Sequence, residues 1–351
     1  MEAAATLTPA QLAPFLLEVA PVMPVFIWGP PGIGKSALVR SFAAAVGLPC
    51  VSLLGSQLAP EDIIGVPQIV AGKSRFCPPT LIARDDPYCL FLDELNACSH
   101  EVQKAFYSLV LDRRIGEFVL PAGTVVIGAG NRSQDQAITR PLSSALVNRL
   151  LHVQLRASAR DWLAWARTAG VDPLVIAYVE TRSDHLWARP PKHEEPFSTP
   201  RSWHMLSQAL ASHGPGIGLD QIKVLAQGLL TPAHAQQFVT FVKLRERAFD
   251  LAAILKGERG WPEAPEERDV LYFLVQQLRD RLIRELPDDE RSIGREAREL
   301  ADRAKELLVP LARISTELAQ LVVTETENGA ALPAWYTVEL ARALPRLAAK
   351  K

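Results

Sequence analysis

The chain has 351 residues, a length that allows two or three domains with separate hydrophobic cores. Its 38 basic and 39 acidic side chains give a net charge of −1, which excludes a general electrostatic attraction to nucleic acid or anionic lipid. No segment approaches the roughly 18 uninterrupted apolar residues of a membrane-spanning helix, so no membrane span is predicted.

The first residues lack a basic stretch followed by an apolar run and a cleavage site, so a cytoplasmic location is expected. Four cysteines are present without a C-x-x-C pair, and two of them lie in apolar runs. This pattern indicates buried thiols in a reducing compartment. The four are Cys50, Cys77, Cys89 and Cys98.

The first predicted helix begins after Thr8. Thr8 and Gln11 have the spacing of a capping box, and Pro9 stands at the first helical position, where proline is favoured. Apolar residues then continue at helical intervals to Val19. The helix leads to a short apolar run over residues 25–28, which predicts a buried strand.

A glycine-rich stretch follows this strand. Residues 29–36 match the pattern G-x-x-x-x-G-K-[ST], and the apolar spacing after them predicts a helix that ends at Gly47. Glycines allow backbone N–H groups to converge on phosphate oxygens at a helix N-terminus. The predicted nucleotide-binding residues are Gly29, Pro30, Pro31, Gly32, Ile33, Gly34, Lys35, Ser36 and Ala37.

Two side chains of the glycine-rich stretch have specific expected roles. Lys35 is predicted to reach the β- and γ-phosphates of ATP, and the Ser36 hydroxyl to ligate Mg²⁺. ATP and Mg²⁺ are therefore the predicted substrate and cofactor.

Residues 61–80 interrupt the alternation of strands and helices. After a second predicted strand over 50–54, the segments 65–70 and 74–77 resemble the two arms of a short hairpin. Proline within this region favours edge strands that lie outside the main sheet.

Polar residues stand at the carboxyl ends of the next predicted strands. The apolar run from Tyr88 ends in Asp93 and Glu94, a helix capped by Ser99 follows, and the strand over 123–131 ends in Asn131. A last strand is predicted over residues 150–155. The alternation predicts a parallel, three-layer α/β sheet with its ligand beyond the carboxyl ends of the strands.

The two acids suit the hydrolysis of ATP. At the end of its strand, Asp93 is predicted to join the Mg²⁺ shell through water, and Glu94 to polarise the attacking water as general base. Ser36 and Asp93 are thus the predicted metal-binding residues.

The sequence becomes helical from Ser158, which with Asp161 opens a helix. Residues 184–199 are predicted to form a loop, residues 256–262 to mark a boundary, and Pro310 to kink or split its helix. Further helices are predicted over 172–183, 200–212, 219–230, 232–255, 266–286, 292–325 and 333–347. The expected domains are 1–157, 158–256 and 257–351.

Five stretches resemble the motifs of AAA+ ATPases. Residues 29–36 and 89–96 are similar to the Walker A and Walker B motifs, and residues 128–131 to sensor 1. Residues 146–150 resemble the arginine-finger segment, and residues 198–203 the start of the sensor 2 helix.

The hairpin over residues 65–77 is similar to the helix-2 insert of the AAA+ branch that contains MoxR-type ATPases, so the chain is identified as MoxR-like by resemblance. The resemblance covers about residues 10–255. It implies a P-loop NTPase core, then an α-helical lid, and leaves the final all-α region without an assignment.

The resemblance also implies roles for three side chains. Asn131 would align the attacking water, Arg149 would reach the nucleotide of the neighbouring subunit as a finger, and Arg201 would contact phosphate from the lid. Arg140 and Arg132 are rivals for the finger. The sequence departs from the family pattern at Leu150, where the family often has phenylalanine after the finger arginine.

A finger supplied by a neighbour makes oligomerisation part of the active site. The family implies a homo-oligomeric ring, most often a hexamer. The hairpin over 65–77 would then face the centre of the ring and engage substrate, or would only brace the fold.

The expected function is ATP hydrolysis coupled to the remodelling, assembly or activation of a partner protein, in which resemblance suggests a von Willebrand factor A domain. One alternative is an ATP-gated oligomeric switch with slow turnover. The other is the motor subunit of a DNA-directed complex, which the near-zero net charge disfavours.

Overall fold

The computed structural model describes residues 5–132, 135, 140–214, 216–246, 250–324 and 331–348. The chain divides into two compact units. The first contains residues 1–212 and 229–231, and the second contains residues 213–228 and 232–351. The division into 1–157, 158–256 and 257–351 stays a prediction.

A parallel sheet forms the centre of the first unit. The described strands are β1 (Ala5–Leu7), β2 (Val25–Trp28), β3 (Cys50–Leu54), β4 (Val66–Val70), β5 (Lys73–Cys77), β6 (Cys89–Asp93), β7 (Arg114–Ile115), β8 (Phe118–Val119), β9 (Val125–Gly130) and β10 (Leu151–Leu155). Six of them pair in parallel in the order β1-β10-β2-β9-β6-β3. The predicted parallel sheet is confirmed.

Helices cover both faces of this sheet. The helices of the first unit are α1 (Pro9–Val19), α2 (Lys35–Ala45), α3 (Glu61–Ile64), α4 (His100–Leu111), α5 (Ser144–Val147), α6 (Ala159–Thr168), α7 (Pro173–Thr181) and α8 (Pro200–His213). Because side chains alternate along a strand, Ile27 joins the cluster of α1 and α2, while Phe26 joins that of α4. Each cluster is dominated by fully buried aliphatic and aromatic side chains, and the predicted three-layer arrangement is confirmed.

Two small hairpins lie outside the main sheet. Among the described strands, β4 and β5 pair only with each other, as the proline pattern predicted. Strands β7 and β8 form a second two-stranded hairpin that the sequence analysis did not predict. Arg75 of β5 forms an ion pair of 2.9 Å with Glu117, which links the two hairpins.

The second unit is helical where it is described. Its helices are α9 (Leu219–Leu229), α10 (Pro232–Glu246), α11 (Leu251–Lys256), α12 (Arg268–Glu285), α13 (Arg295–Ile314), α14 (Thr316–Val323) and α15 (Ala334–Ala348). Helix α12 buries Val270, Leu274 and Leu278, which recur at helical intervals.

The boundaries of two predicted helices are wrong. The helix predicted over 232–255 is replaced by α10 and α11, since Asp250 has an extended backbone and its carboxylate accepts from the backbone N–H of Ala252. The helix predicted over 292–325 breaks at Ser315, which caps α14, whereas Pro310 lies inside α13. In both places a short polar side chain satisfies backbone donors and starts a new helix.

None of the helices in the described parts of the chain is long and apolar enough to span a bilayer.

Candidate functional site

The glycine-rich stretch connects β2 to α2. Gly32 and Gly34 have φ values of 77° and 98°, in the left-handed region that glycine tolerates best. A Cβ on Gly32 would lie 2.6 Å from the Thr199 hydroxyl oxygen, so a side chain there is also excluded by contact. The loop therefore leaves the N-terminus of α2 open to an anion.

Lys35 is the most constrained side chain of this loop. It is 9% exposed, and its ammonium donates to the carbonyls of Gly29 (2.6 Å) and Pro30 (3.0 Å) and to Oδ1 of Asn131 (2.8 Å). All three acceptors are uncharged. Burial lowers the pKa of Lys35 to about 8, against the opposing effect of the Asp93 carboxylate. The site therefore holds a desolvated cation, which an anionic ligand would stabilise.

Asp93 closes the other side of the loop. It ends β6, and its Oδ2 accepts a hydrogen bond of 2.6 Å from the Ser36 hydroxyl. Hydroxyl and carboxylate oxygens are ligands that Mg²⁺ prefers, and one or two protein oxygens beside phosphate oxygens are its usual set. The pair that was predicted to bind the metal is thus assembled, and its donor set fits Mg²⁺.

Glu94 has a left-handed backbone with φ 52° and ψ 34°. Such a conformation is costly for a residue with a side chain and is concentrated at functional sites. Its Oε2 accepts a hydrogen bond of 2.6 Å from the Ser56 hydroxyl. A Cβ on Gly55 would lie 2.9 Å from the Glu94 carbonyl, so only glycine permits this close approach of the two backbones.

Asn131 is held by Asn96. The Asn96 side chain donates to the Asn131 carbonyl (2.6 Å) and accepts from the Asn131 N–H (3.2 Å). Asn96 is 3% exposed, and a Cβ on Gly130 would overlap its Oδ1 at 2.2 Å. This reciprocal pair fixes the backbone of Asn131 so that its side chain reaches Lys35.

Arg201 enters the site at the start of α8. Thr199 and Ser202 exchange the side chain to backbone hydrogen bonds of a capping box, at 3.0 Å and 2.8 Å. The backbone N–H of Arg201 donates to the Gly32 carbonyl at 3.0 Å, which joins α8 to the glycine-rich loop. The Arg201 charge opposes protonation of Lys35 and contributes to its lowered pKa.

One pocket gathers most of the predicted site. It is lined by Pro31, Gly32, Gly34, Lys35, Ser36, Asp93, Glu94, Gly130, Asn131 and Arg201. The remaining loop residues lie beside it: Gly29 and Pro30 present carbonyls to Lys35, Ile33 is buried in the core, and Ala37 is exposed on α2.

Arg149 does not line this pocket. It is exposed after α5, and its guanidinium donates to the Ala145 carbonyl at 3.2 Å. Of its two rivals, Arg132 pairs with Asp135 at 3.3 Å, and Arg140 is exposed with its backbone N–H bound to the Asn96 carbonyl at 2.7 Å. The three arginines therefore differ in the contacts that they make within their own subunit: a backbone carbonyl for the Arg149 side chain, a carboxylate for that of Arg132, and a backbone hydrogen bond for Arg140.

Four residues of this site had no role in the sequence analysis. Ser56, Asn96, Gly55 and Thr199 each contact a predicted site residue across a long sequence separation. Asn96 and Thr199 stood within recognised motifs, but neither was assigned a role there. The signal that would have identified Asn96 is a polar residue in an otherwise apolar turn, since a buried amide requires partners.

Residues 24–150 match the AAA domain of the dynein-related subfamily. This part of the chain is similar to an AAA domain. It includes Lys35, Ser36, Asp93, Glu94 and Asn131, which the pocket brings together.

Two named relatives each match less than half of the chain. Midasin of Giardia intestinalis is 27% identical in an alignment of 168 residues that covers 44% of this chain and 4% of Midasin. The ATP-dependent zinc metalloprotease FtsH 2 of Sorangium cellulosum is 31% identical in an alignment of 166 residues that covers 42% of this chain and 26% of that protein. The chain thus spans at most about a quarter of the length of these relatives. The crystal structure of NtrX from Brucella abortus in complex with ADP is 19% identical, with a TM-score of 0.43, over 97% of this chain and 68% of that one.

The lowered pKa of Lys35 predicts a pH dependence of stability. Between about pH 8 and pH 10.5 the unfolded chain binds a proton at Lys35 that the folded chain has released, so stability rises with pH. The free energy of unfolding should rise by up to about 3 kcal/mol relative to a Lys35→Met variant, which lacks the titrating group. Urea unfolding of both proteins across this range measures the difference, and a constant difference would contradict the prediction.

Proposed function

We propose that this chain is a MoxR-like ATPase that hydrolyses ATP to ADP and phosphate in a ring, and that turnover remodels or activates a partner protein. The observation that carries the proposal is the convergence of Lys35, Asp93, Glu94 and Asn131 from separate elements into one pocket at the N-terminus of α2. Each supplies a group that phosphoryl transfer to water requires.

Lys35 and the loop N–H groups hold the phosphates. The Lys35 ammonium donates to uncharged carbonyl and amide oxygens, which phosphate oxygens would replace as stronger acceptors. Ser36 and Asp93 would hold Mg²⁺, the hydroxyl directly and the carboxylate through water. When bound there, Mg²⁺ would supply positive charge to offset that of the phosphates.

Glu94 and Asn131 act on the attacking water. The Glu94 carboxylate would accept the proton of this water, while the Asn131 amide fixes its direction of approach. Asn96 is a positioning residue in this scheme, since it clamps the backbone of Asn131. Ser56 orients Glu94 through its hydrogen bond.

Two arginines complete the charge distribution. Arg201 lines the pocket and would contact phosphate from α8. Arg149 is exposed away from the pocket, as a residue that acts on a neighbouring subunit must be. We therefore propose a homo-oligomeric ring, as a hexamer, in which each subunit completes the site of the next.

The β4–β5 hairpin is the proposed contact with the partner. All five residues of β4 are exposed, with Ile69 at 84% and Val66 at 62%. Phe76 of β5 is 43% exposed, and it lies beside Gly116 of the neighbouring hairpin. Because side chains alternate along a strand, Ile69 and Phe76 lie on one face of the hairpin and Val66 on the other. Exposed apolar side chains that lie together mark interaction sites, so the face with Ile69 and Phe76 is the proposed contact. We propose a protein with a von Willebrand factor A domain as the partner.

Phosphate release tests the proposed activity. The wild-type chain is expected to release phosphate from ATP and Mg²⁺ at a specific rate that rises with protein concentration until ring formation is complete. Lys35→Met should abolish release, because the phosphates lose their buried cation. ATP binding that drives assembly without release would favour the oligomeric switch, and release that requires DNA would favour the DNA-directed motor.

Replacing Ile69 tests the hairpin. Ile69→Ser is expected to reduce co-purification of a partner with a von Willebrand factor A domain at least tenfold, as loss of an apolar interface anchor does. Val224→Ser is the matched control, because Val224 is 68% exposed on α9. Equal recovery with both variants would contradict the assignment. A lower melting temperature of Ile69→Ser with normal recovery would instead indicate that the hairpin only braces the fold.

A further inference from the structure

His152 contacts two parts of the first unit, the strand that leads into the glycine-rich loop and the helix that precedes Arg149. It lies on β10 beside β2, and its Nδ1 accepts a hydrogen bond of 2.9 Å from Nε1 of Trp28. Its Nε2 lies 2.9 Å from the carbonyl oxygen of Val147. The His152 and Trp28 rings are also stacked, with centroids 5.9 Å apart and an angle of 22° between the planes.

These two contacts define one tautomer of the His152 imidazole. Trp28 can only donate, so Nδ1 of His152 carries no proton, and the Val147 carbonyl can only accept, so Nε2 carries one. Each nitrogen therefore has a distinct partner. A side chain that replaces one nitrogen alone breaks one contact and keeps the other.

The Trp28 contact connects His152 to the glycine-rich loop over residues 29–36, which is the proposed nucleotide loop. Trp28 is the residue before Gly29, whose carbonyl accepts from Lys35 and whose N–H donates to the Gly130 carbonyl at 3.2 Å. Trp28 is 7% exposed, and its ring packs on Phe26 with centroids 4.5 Å apart. The indole is thus fixed at the point where β2 becomes the loop.

The Val147 contact connects His152 to the segment that carries Arg149. Val147 is the last residue of α5, and Arg149 follows two residues later. The last carbonyls of a helix need donors from outside its regular hydrogen bonds. The Leu146 carbonyl accepts from the Arg149 N–H at 3.0 Å, and the Val147 carbonyl accepts from His152. The segment is therefore anchored to β10 by this side chain.

We propose that His152 is a positioning residue that fixes Arg149 relative to the nucleotide loop of its own subunit, and thereby sets hydrolysis in the neighbouring subunit. The inference rests on the proposed role of Arg149 as a finger. Loss of the Val147 contact should therefore lower ATP hydrolysis in the neighbouring subunit's pocket. The pocket of the altered subunit itself should stay able to hydrolyse ATP.

Two substitutions separate the contacts. In His152→Asn the amide oxygen can replace Nδ1 and accept from Trp28, but no donor reaches Val147. In His152→Gln the longer side chain can place an N–H donor near the position of Nε2. We expect His152→Asn to lower turnover about tenfold with unchanged ATP affinity, and His152→Gln to keep at least about half of it.

Mixed rings identify the subunit on which His152 acts. Glu94→Gln subunits cannot hydrolyse ATP in this scheme, but they present an intact Arg149. Added in excess to His152→Asn subunits, they should restore the turnover per His152→Asn subunit at least about fivefold, because the defective subunits receive a working finger. Arg149→Ala subunits should recover in the same way, whereas Ser36→Ala subunits, which are defective in their own site, should not.

Each outcome has a separate meaning. Normal turnover of His152→Asn would contradict only the proposed role of His152 and not that of Arg149. The same holds if mixed rings of His152→Asn fail to recover turnover while mixed rings of Arg149→Ala do recover it. Failure of Arg149→Ala rings to recover would overturn the proposed finger itself. Thermal unfolding of every variant, with ATP affinity measured beside it, identifies any loss that is only structural, and His152→Gln provides the test if His152→Asn does not fold.

Discussion

Glu94→Gln is expected to lower ATP turnover by at least about a hundredfold while ATP affinity stays within about twofold of the wild type. The amide keeps the size of the side chain and can still accept from the Ser56 hydroxyl, which lies 2.6 Å from Oε2 in the wild type. It cannot accept the proton of the attacking water. Phosphate release and equilibrium binding of ATP measure the two quantities.

Glu18→Gln is the matched control, because Glu18 is exposed on α1 outside the pocket and the change removes the same charge. It should leave both quantities unaltered. Wild-type turnover in Glu94→Gln would exclude the carboxylate as general base. Loss of ATP affinity instead would show that Glu94 contributes to binding, and would move the base to another group.

The parts of the site that the sequence predicted are those determined by local chain geometry. The glycine-rich loop, the apolar strand before Asp93 and the one before Asn131 are contiguous segments, and parallel strands bring their carboxyl ends to one edge. A short stretch of chain therefore carries both the element and the residue at its end. This is why Lys35 and Asp93 could be placed in one pocket before the fold was known.

The residues that orient the site could not be predicted in this way. Ser56 and Glu94 are 38 residues apart, and Asn96 and Asn131 are 35 residues apart. Their contacts depend on the register of neighbouring strands and on the left-handed backbone of Glu94, which breaks the local preference for glycine or asparagine at such positions. The sequence indicated the candidate side chains of the pocket, and tertiary structure was needed to identify the residues that support them.

Short elements and helix breaks were also missed for identifiable reasons. Strand β1 has three residues, too few for an alternating pattern, and β7 and β8 have two each. Pro310 lacks only one backbone donor and is accommodated within α13. The break occurs at Ser315, whose hydroxyl accepts from the Leu318 N–H at 3.3 Å. A capping residue within an apolar pattern was here a better boundary signal than proline.

Arg149→Ala is expected to lower ATP turnover by about a thousandfold, because an arginine finger neutralises charge that develops only in the transition state. ATP affinity should change little for the same reason. Arg149→Lys should remain strongly impaired, since an ammonium lacks the planar, two-pronged geometry with which a guanidinium binds phosphate. Turnover is measured at protein concentrations where the wild type is fully assembled, and assembly is verified by light scattering.

The rival arginines decide whether this loss belongs to the finger. Arg132→Ala removes the partner of Asp135, whose charge also raises the pKa of Lys35, so its effect should arise within one subunit and should persist in mixed rings. Arg140→Ala removes an exposed charge and should have little effect if Arg149 is the finger. A thousandfold loss in Arg140→Ala together with near-normal Arg149→Ala would transfer the role to Arg140. Because the carbonyl of Asn96 holds the backbone of Arg140, that result would link the finger to the clamp on Asn131 instead of to His152.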